Sequence, residues 1–198
     1  MRLTLTTATA APALDWGAEL VTHLRLDSEL ERTRVENILV PAAEAWVEAL
    51  TNRQLITATW TLKLDRFPAF DIVLPKPPLQ SVTSVKYVDQ DGTQQTWADT
   101  NYSVDAPAGP YALRGRIVPG YSIIYPITRA IPDAVEIEFI AGYGDAYSDV
   151  PGLIRSALLV MVGELFERRE ESVVGGRVSP VVLRARDMAF PFFSEEAA

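Results

Sequence analysis

The stretch FIAGYGDAYSDVPGLIRSALL, residues 139–159, joins two segments of different hydrophobic period. Before it, VEIEFI (135–140) sets Val135, Ile137 and Phe139 against Glu136 and Glu138, which predicts a half-buried antiparallel strand. After it, residues 153–166 predict a helix that is apolar on nearly every side. Gly142 and Gly144 lie between the two, in the layout of loops that hold phosphate at a helix N-terminus. Residue identity rejects that reading. A dinucleotide fingerprint needs G-x-G-x-x-G, and Tyr147 stands where the third glycine belongs. A P-loop needs Gly-Lys-Ser/Thr at the helix start; this helix opens Val150-Pro151-Gly152, and Asp145 would repel a phosphate. The glycines are expected instead to supply backbone angles closed to other residues, turning strand into helix. Pro151 suits a first helical turn, where a missing N–H costs little.

Working back from this turn, the alternating period persists to residue 54. TWTLKLD (59–65) sets Trp60, Leu62 and Leu64 against Thr61, Lys63 and Asp65. FDIVLPKPPL (70–79) carries three prolines, which confine it to an edge or an extended connection. SVTSVKYV (81–88) and TQQTW (93–97) flank Asp91-Gly92, a two-residue signal for a tight hairpin. NYSVD (101–105) and GRIVP (115–119) predict further short strands. Short antiparallel strands separated by turn residues argue for a small sandwich or barrel.

Before residue 54 the period is helical. ALDWGAELVTHLRL (13–26) places Leu14, Ala18, Val21 and Leu24 on one stripe. Asp27 and Ser28 are cap candidates for a second helix, about 28–51, whose stripe is Val35, Ile38, Leu39, Ala42, Trp46 and Leu50. Pro41 should kink that helix or divide it. The N-terminus has no continuous apolar core of a signal peptide, and TATAA (7–11) is read as a flexible leader. The expected fold is therefore α+β. Its parts are N-terminal helices over 1–53, a β-sandwich or barrel-like domain over 54–142, a third core helix in 143–172 and an extended tail over 173–198.

The third helix carries a physical problem. A helix that is apolar all round must be covered all round. Two other helices and a sheet leave part of it bare, so Ile154, Leu158, Met161, Leu165 and Phe166 are expected to meet a neighbouring subunit. In the tail, Arg177, Arg184 and Arg186 precede MAFPFF, and a solvated tail would not keep Phe190, Phe192 and Phe193 together. These six residues are expected to dock, on another chain or on this chain's own body.

Composition narrows the function. The chain has 198 residues, 48 % hydrophobic and 22 % charged, the balance of a globular protein. No apolar run approaches the ~20 residues that cross a bilayer. With no cysteine and one histidine, His23, thiolate chemistry and multi-histidine metal sites are excluded. A net charge of −8 argues against an electrostatic nucleic-acid binder. Arg makes up fifteen of the eighteen basic residues, which fits protein contacts and the codon bias of a high-GC genome equally well. Asp89 and Asp91 lack the rest of an EF-hand loop and read as a hairpin tip. Glu136 and Glu138 share a strand face as a glycosidase pair might, yet alternating solvent-facing charge explains them as well. Ser122, Ser156 and Ser172 lack an elbow motif and a histidine partner. Neither an enzyme nor a cofactor is expected.

Five stretches occur in a telling order: HLRLD (23–27), WVEALTNRQLITATW (46–60), PLQSVTSVKYVDQDG (78–92), VEIEFIAGYGD…VPGLIRSALL (135–159) and ERRE (167–170). In order, spacing and helix–helix–β–helix plan, residues 13–170 resemble the head–tail connector, or adaptor, proteins of long-tailed bacteriophages and phage-derived gene transfer agents. Pro41 and the segment after 171 depart from that pattern. The resemblance implies a structural role in the neck of a virion or phage-like particle made in the host cytoplasm. There a ring, usually of twelve subunits, sits between the portal protein and a tail-completion or stopper protein, and the docking residues of the tail would reach the portal. DNA would pass through it without specific binding, and no membrane is involved. A net negative subunit suits such a conduit by repelling phosphate, and Asp27, Glu29, Glu31 and Glu36 are the expected channel-facing acids. Two other readings stand beside it. One is a β-sandwich module that binds carbohydrate or a cell surface. The other is a hydrolase using Glu136, Glu138 or nearby aspartates.

Overall fold

A computed structural model describes residues 1–8, 20–26, 28–167 and 180–193. The fold is α+β, with antiparallel strands and helices in two compact units. The first unit comprises Met1–Ala10 and Thr57–Tyr143; the second comprises Ala11–Ile56 and Gly144–Ala198.

The β unit holds two sheets. Strands β1 (Arg2–Thr7), β2 (Ala58–Leu64), β4 (Leu79–Val88), β5 (Gln94–Thr96) and β8 (Val135–Ala141) form a five-stranded sheet ordered β1-β2-β8-β4-β5. Strands β3 (Ile72–Val73), β6 (Tyr102–Asp105) and β7 (Arg116–Pro119) form a second, ordered β3-β7-β6. Alternation decides which side chains meet. In the antiparallel β2–β8 pair, Trp60 lies opposite Phe139, Leu62 opposite Ile137 and Leu64 opposite Val135. These inward residues join Ile72 and Ile117 of the smaller sheet, Leu74, Val85 and Trp97 in one buried cluster. Phe67, Trp97, Tyr102 and Tyr125 extend it as stacked and tilted rings, with the Phe67 and Tyr125 centroids 4.8 Å apart.

Strand β1 was not expected, and it puts the first residues in the β unit rather than with the N-terminal helices; of the expected leader (7–11), Thr7 ends β1 and residues 9–11 lie outside the described residues. Leu3 and Leu5 alternate with threonines and pair with Leu62 and Trp60, while Thr6 and Thr61 share a hydroxyl hydrogen bond of 2.6 Å on the other face. The hairpin tip is longer than two residues. The Asp89 N–H donates to the Thr93 carbonyl (3.0 Å) and closes a loop over 90–92, with Gly92 at φ 90°. Asp89 accepts from Gln95 Nε2 (2.9 Å) and from the Thr93 N–H (2.8 Å), which hold its carboxyl below the usual aspartate range.

In the helical unit the described residues show α1 (Val21–Leu24), α2 (Glu29–Arg34), a π turn (Val35–Leu39), α3 (Val40–Thr51), α4 (Gly152–Glu167) and α5 (Pro180–Ala189). Pro41 has no N–H and would clash with the carbonyl four residues back, and the wider π turn just before it makes room. The extra residue of that turn shifts the buried stripe by one position. Ala43, Val47 and Thr51 are buried where Ala42, Trp46 and Leu50 were expected, and Ile38 turns outward. Asn52 closes α3 in the left-handed region at φ 53°.

Residues 180–193 correct the expected extended tail. They form α5 and a 3₁₀ turn (Phe190–Phe192), and Ala185, Ala189 and Phe192 are buried within the helical unit. Arg53 Nε, itself buried, donates to the Phe192 carbonyl at 2.5 Å.

The glycine turn divides its work. Gly142 has φ 133°, its N–H donates to the Pro78 carbonyl (2.9 Å), and its own carbonyl accepts from Gln80 Nε2 (2.9 Å). Gly144 is needed for space: a Cβ there would overlap the Asp149 carboxylate, which accepts from the Ala146 N–H at 3.1 Å. Gly142→Ala forces an L side chain into a strained region and is expected to cost about 1–3 kcal/mol, read as a lower denaturant midpoint.

Candidate assembly surfaces

Among the described residues no group of acidic, histidine and cysteine side chains could hold a metal ion. No described helix is long and apolar enough to cross a membrane. The residues weighed for chemistry are engaged in structure or stand apart. Glu136 faces Lys63 across the β2–β8 pair at 2.9 Å, and Glu138 lies opposite Thr61 and Ser84. The Ser156 hydroxyl donates to the Gly152 carbonyl at 3.0 Å. His23 is an exposed residue of α1, and Ser122 an exposed turn residue at φ 61°. Ser172 lies outside the described residues. Phe67, Trp97, Tyr102 and Tyr125 stack on each other, whereas Phe70, Tyr111 and Tyr121 are exposed.

The β unit presents a surface that the sequence reading passed over. In GYSIIYPITRAI, residues 120–131, Tyr121 is 101 % exposed, Ile124 88 % and Ile127 74 %, and Phe70 nearby is 82 % exposed. The segment is pinned at several points. Gly120 N–H donates to the Asn101 carbonyl (2.8 Å), Arg129 N–H to the Val88 carbonyl (3.0 Å), and the Tyr125 hydroxyl to the Phe70 carbonyl (3.1 Å). Its inner side forms a groove of about 730 Å³ against Asp65, Arg66 and Phe67. The available signal was composition: four isoleucines, two tyrosines and a single charge, with neither strand nor helix period. Exposed apolar groups gathered on an anchored loop mark a contact surface.

Burial, then the Asp71 carboxylate, pushes the Tyr125 phenol up to about 12, from an ordinary value of 10.0. A raised value means the folded state holds the proton longer than the unfolded chain. The stabilisation is complete below pH 10.0 and is lost as pH rises towards 12. Tyr125→Phe is expected to flatten the loss of stability in that window, measured by chemical denaturation at stepped pH.

In the helical unit the expected interface residues divide. Ile154 and Leu158 are 0 % exposed and Met161 9 %, all turned to their own core, so they have no surface to give a neighbour. Leu165 and Phe166 are half-buried. The cover on α4 comes from α1, the π turn, α3 and above all α5. Of the docking residues, Phe192 is buried in its own unit, Phe193 is half-buried, and Arg184, Arg186 and Phe190 are exposed. Arg177 lies outside the described residues, as does Asp27 among the expected channel acids. Glu29 and Glu36 are exposed, and Glu31 is half-buried. Charge is unevenly shared: the β unit has nine acidic and eight basic residues, and the helical unit seventeen acidic and ten basic.

Solved particle structures contain this fold. A chain in the virion of a native gene transfer agent particle superposes with a TM-score of 0.78 at 25 % identity, covering 100 % of this chain and 98 % of that one. A chain in the neck of an empty gene transfer agent particle, computed with C6 symmetry, gives 0.79 at 25 % identity with the same coverage. A third, in the neck of a native particle computed with C12 symmetry, gives 0.71 at 23 % identity, again over 100 % and 98 %, and shows the shared fold. No protein-family model matches the sequence, and no curated protein matches it. The likeness takes in both units and supports a structural role in a particle neck.

Proposed function

We propose that the protein is a head–tail adaptor: a ring of identical copies between the portal of a DNA-filled head and the tail-completion proteins. The observation that carries this reading is the full-length likeness, over both units, to chains of the gene transfer agent virion and neck. The symmetry imposed on those neck structures supports a ring. Two features of the molecule agree with the role. The helical unit, seventeen acidic against ten basic residues, suits the wall of a conduit, because its field repels phosphates and lets DNA pass without adhering. The near-neutral β unit, with its anchored apolar loop at 120–131, suits contact with another protein of the neck.

The test is removal of the chain from cells that make the particle. Filled heads and separate, unattached tails are the expected products, and resupplying the chain should rejoin them. Intact head–tail particles in its absence would overturn the proposal.

A further inference from the structure

Two exposed surfaces of the helical unit differ in the side chains they offer. The first runs along the outside of α2, the π turn and α3. Leu30 is 81 % exposed and Ile38 59 %, and exposed Pro41, Ala42, Ala45 and Ala49 continue the stripe. Small residues let another helix approach closely, and beside Leu30, Arg34 and Ile38 lies a shallow groove of about 360 Å³. Carboxylates flank it: Glu36 is exposed, and Glu29 is held only loosely by Arg32 at 3.9 Å. The second surface is the outer side of α5 and the turn after it. Leu183 is 44 % exposed and Phe190 66 %, with Arg184, Arg186 and Asp187 exposed alongside. Among the described rings, that of Phe190 packs only on Phe193 (centroids 5.2 Å), with the two exposed arginines beside it.

One surface offers small residues, a groove lined by both Glu31 and Arg34, and the exposed carboxylates of Glu29 and Glu36. The other offers large apolar side chains and guanidinium groups. They cannot satisfy each other within one molecule. Buried Ala185, Ala189 and Phe192, with the Arg53 hydrogen bond to the Phe192 carbonyl, hold α5 against its own unit with its outer face turned away.

We propose that the outer face of α5 in one copy seats on the α2–α3 stripe of the next. Phe190 and Leu183 enter the groove at Leu30 and Ile38, and Arg184 and Arg186 meet Glu29 and Glu36. The contact joins two different patches, so it is head-to-tail, and such contacts propagate until they close a ring. The inference rests on the adaptor reading and supplies its subunit contact. It also moves Glu29 and Glu36 from the channel wall to the joint between copies, and Arg184, Arg186 and Phe190 from the portal to a second copy.

The absence of cysteine makes a cross-linking test clean. Ile38→Cys and Phe190→Cys are placed at exposed positions, singly and together, in the full chain, and particles carrying each are oxidised or treated with a short bismaleimide. The double variant is expected to run as a ladder of covalent multimers. Particles made with a mixture of the two single variants should give a covalent dimer that neither gives alone. Reversal of charge by Arg184→Glu with Arg186→Glu should lower incorporation at least tenfold, and Glu29→Arg with Glu36→Arg in the same chain should restore it. Ile38→Cys cross-linking to itself would overturn the head-to-tail contact. So would the chain present in particles but uncross-linked, or a charge-reversed chain incorporated normally; the latter would leave the portal as the partner of α5. A chain absent from all particles would overturn the adaptor reading itself, and this contact with it.

Discussion

Phe192→Ala is expected to cost the helical unit about 3–5 kcal/mol, whereas Phe190→Ala, two residues earlier, loses only an exposed ring's pairing with Phe193 (centroids 5.2 Å) and should cost no more than about 1.5 kcal/mol. The difference comes from orientation. Phe192 is 1 % exposed and, with Ala185 and Ala189, makes the inner side of α5 and its terminal turn; Phe190 is 66 % exposed on the outer side. Truncating Phe192 removes the transfer free energy of a large ring and leaves a cavity that rigid neighbours fill only in part. It also loosens the turn whose carbonyl accepts the buried Arg53 Nε–H, a donor that is costly to leave unpaired. Set against a total domain stability of about 5–15 kcal/mol, the loss is large. Urea titrations of the two variants decide it: a markedly larger drop in midpoint for Phe192→Ala than for Phe190→Ala is predicted, and equal midpoints would mean that α5 does not belong to the body of the unit.

Phe139→Ala should have an effect of similar size, about 3–5 kcal/mol, on the β unit. Phe139 is 0 % exposed in the middle of β8, the central strand, with Trp60 opposite it on β2 and Val82 on β4. No edge is near enough for the sheet to close over the space, so most of the cavity persists. Glu138, next in sequence, points to the other face beside Thr61 and Ser84 and serves as the control. Glu138→Ala is expected to stay within about 0.5 kcal/mol. Hydrogen exchange should accelerate across β2, β4 and β8 in Phe139→Ala. Unchanged protection of those strands would contradict the register described above.

The β unit was the more legible part, because period 2 is a local signal. Trp60, Leu62 and Leu64, and Val135, Ile137 and Phe139, were placed on the inner face from alternation alone, and the sheet pairs them. Strand β1 was missed although RLTLT alternates, since its short apolar face gains meaning only against Leu62 and Trp60. Helix α2–α3 was seen with its later buried positions one residue out. Pro41 announced an interruption but not its form, and only the π turn shows which way the phase moves.

The greasiness of α4 teaches more. The sequence reading found too little cover for it and turned to neighbouring subunits for the rest. Much of the missing cover is α5, hidden from periodicity analysis because its contacts with α4 and Arg53 are long-range. The surfaces open to assembly lie elsewhere, where apolar residues face outward: Leu30 and Ile38, Leu183 and Phe190, and the loop carrying Tyr121, Ile124 and Ile127. Only the loop leaves a trace in composition; exposure itself is a property of the fold.

A reconstruction of the neck in particles from the cells that make this protein, resolved well enough to trace side chains, tests the adaptor reading most directly. It should show a closed ring of this chain beneath the portal with DNA on its axis and the acidic helical units nearest to it. Density for the neck fully accounted for by other chains, with this one absent, would contradict it.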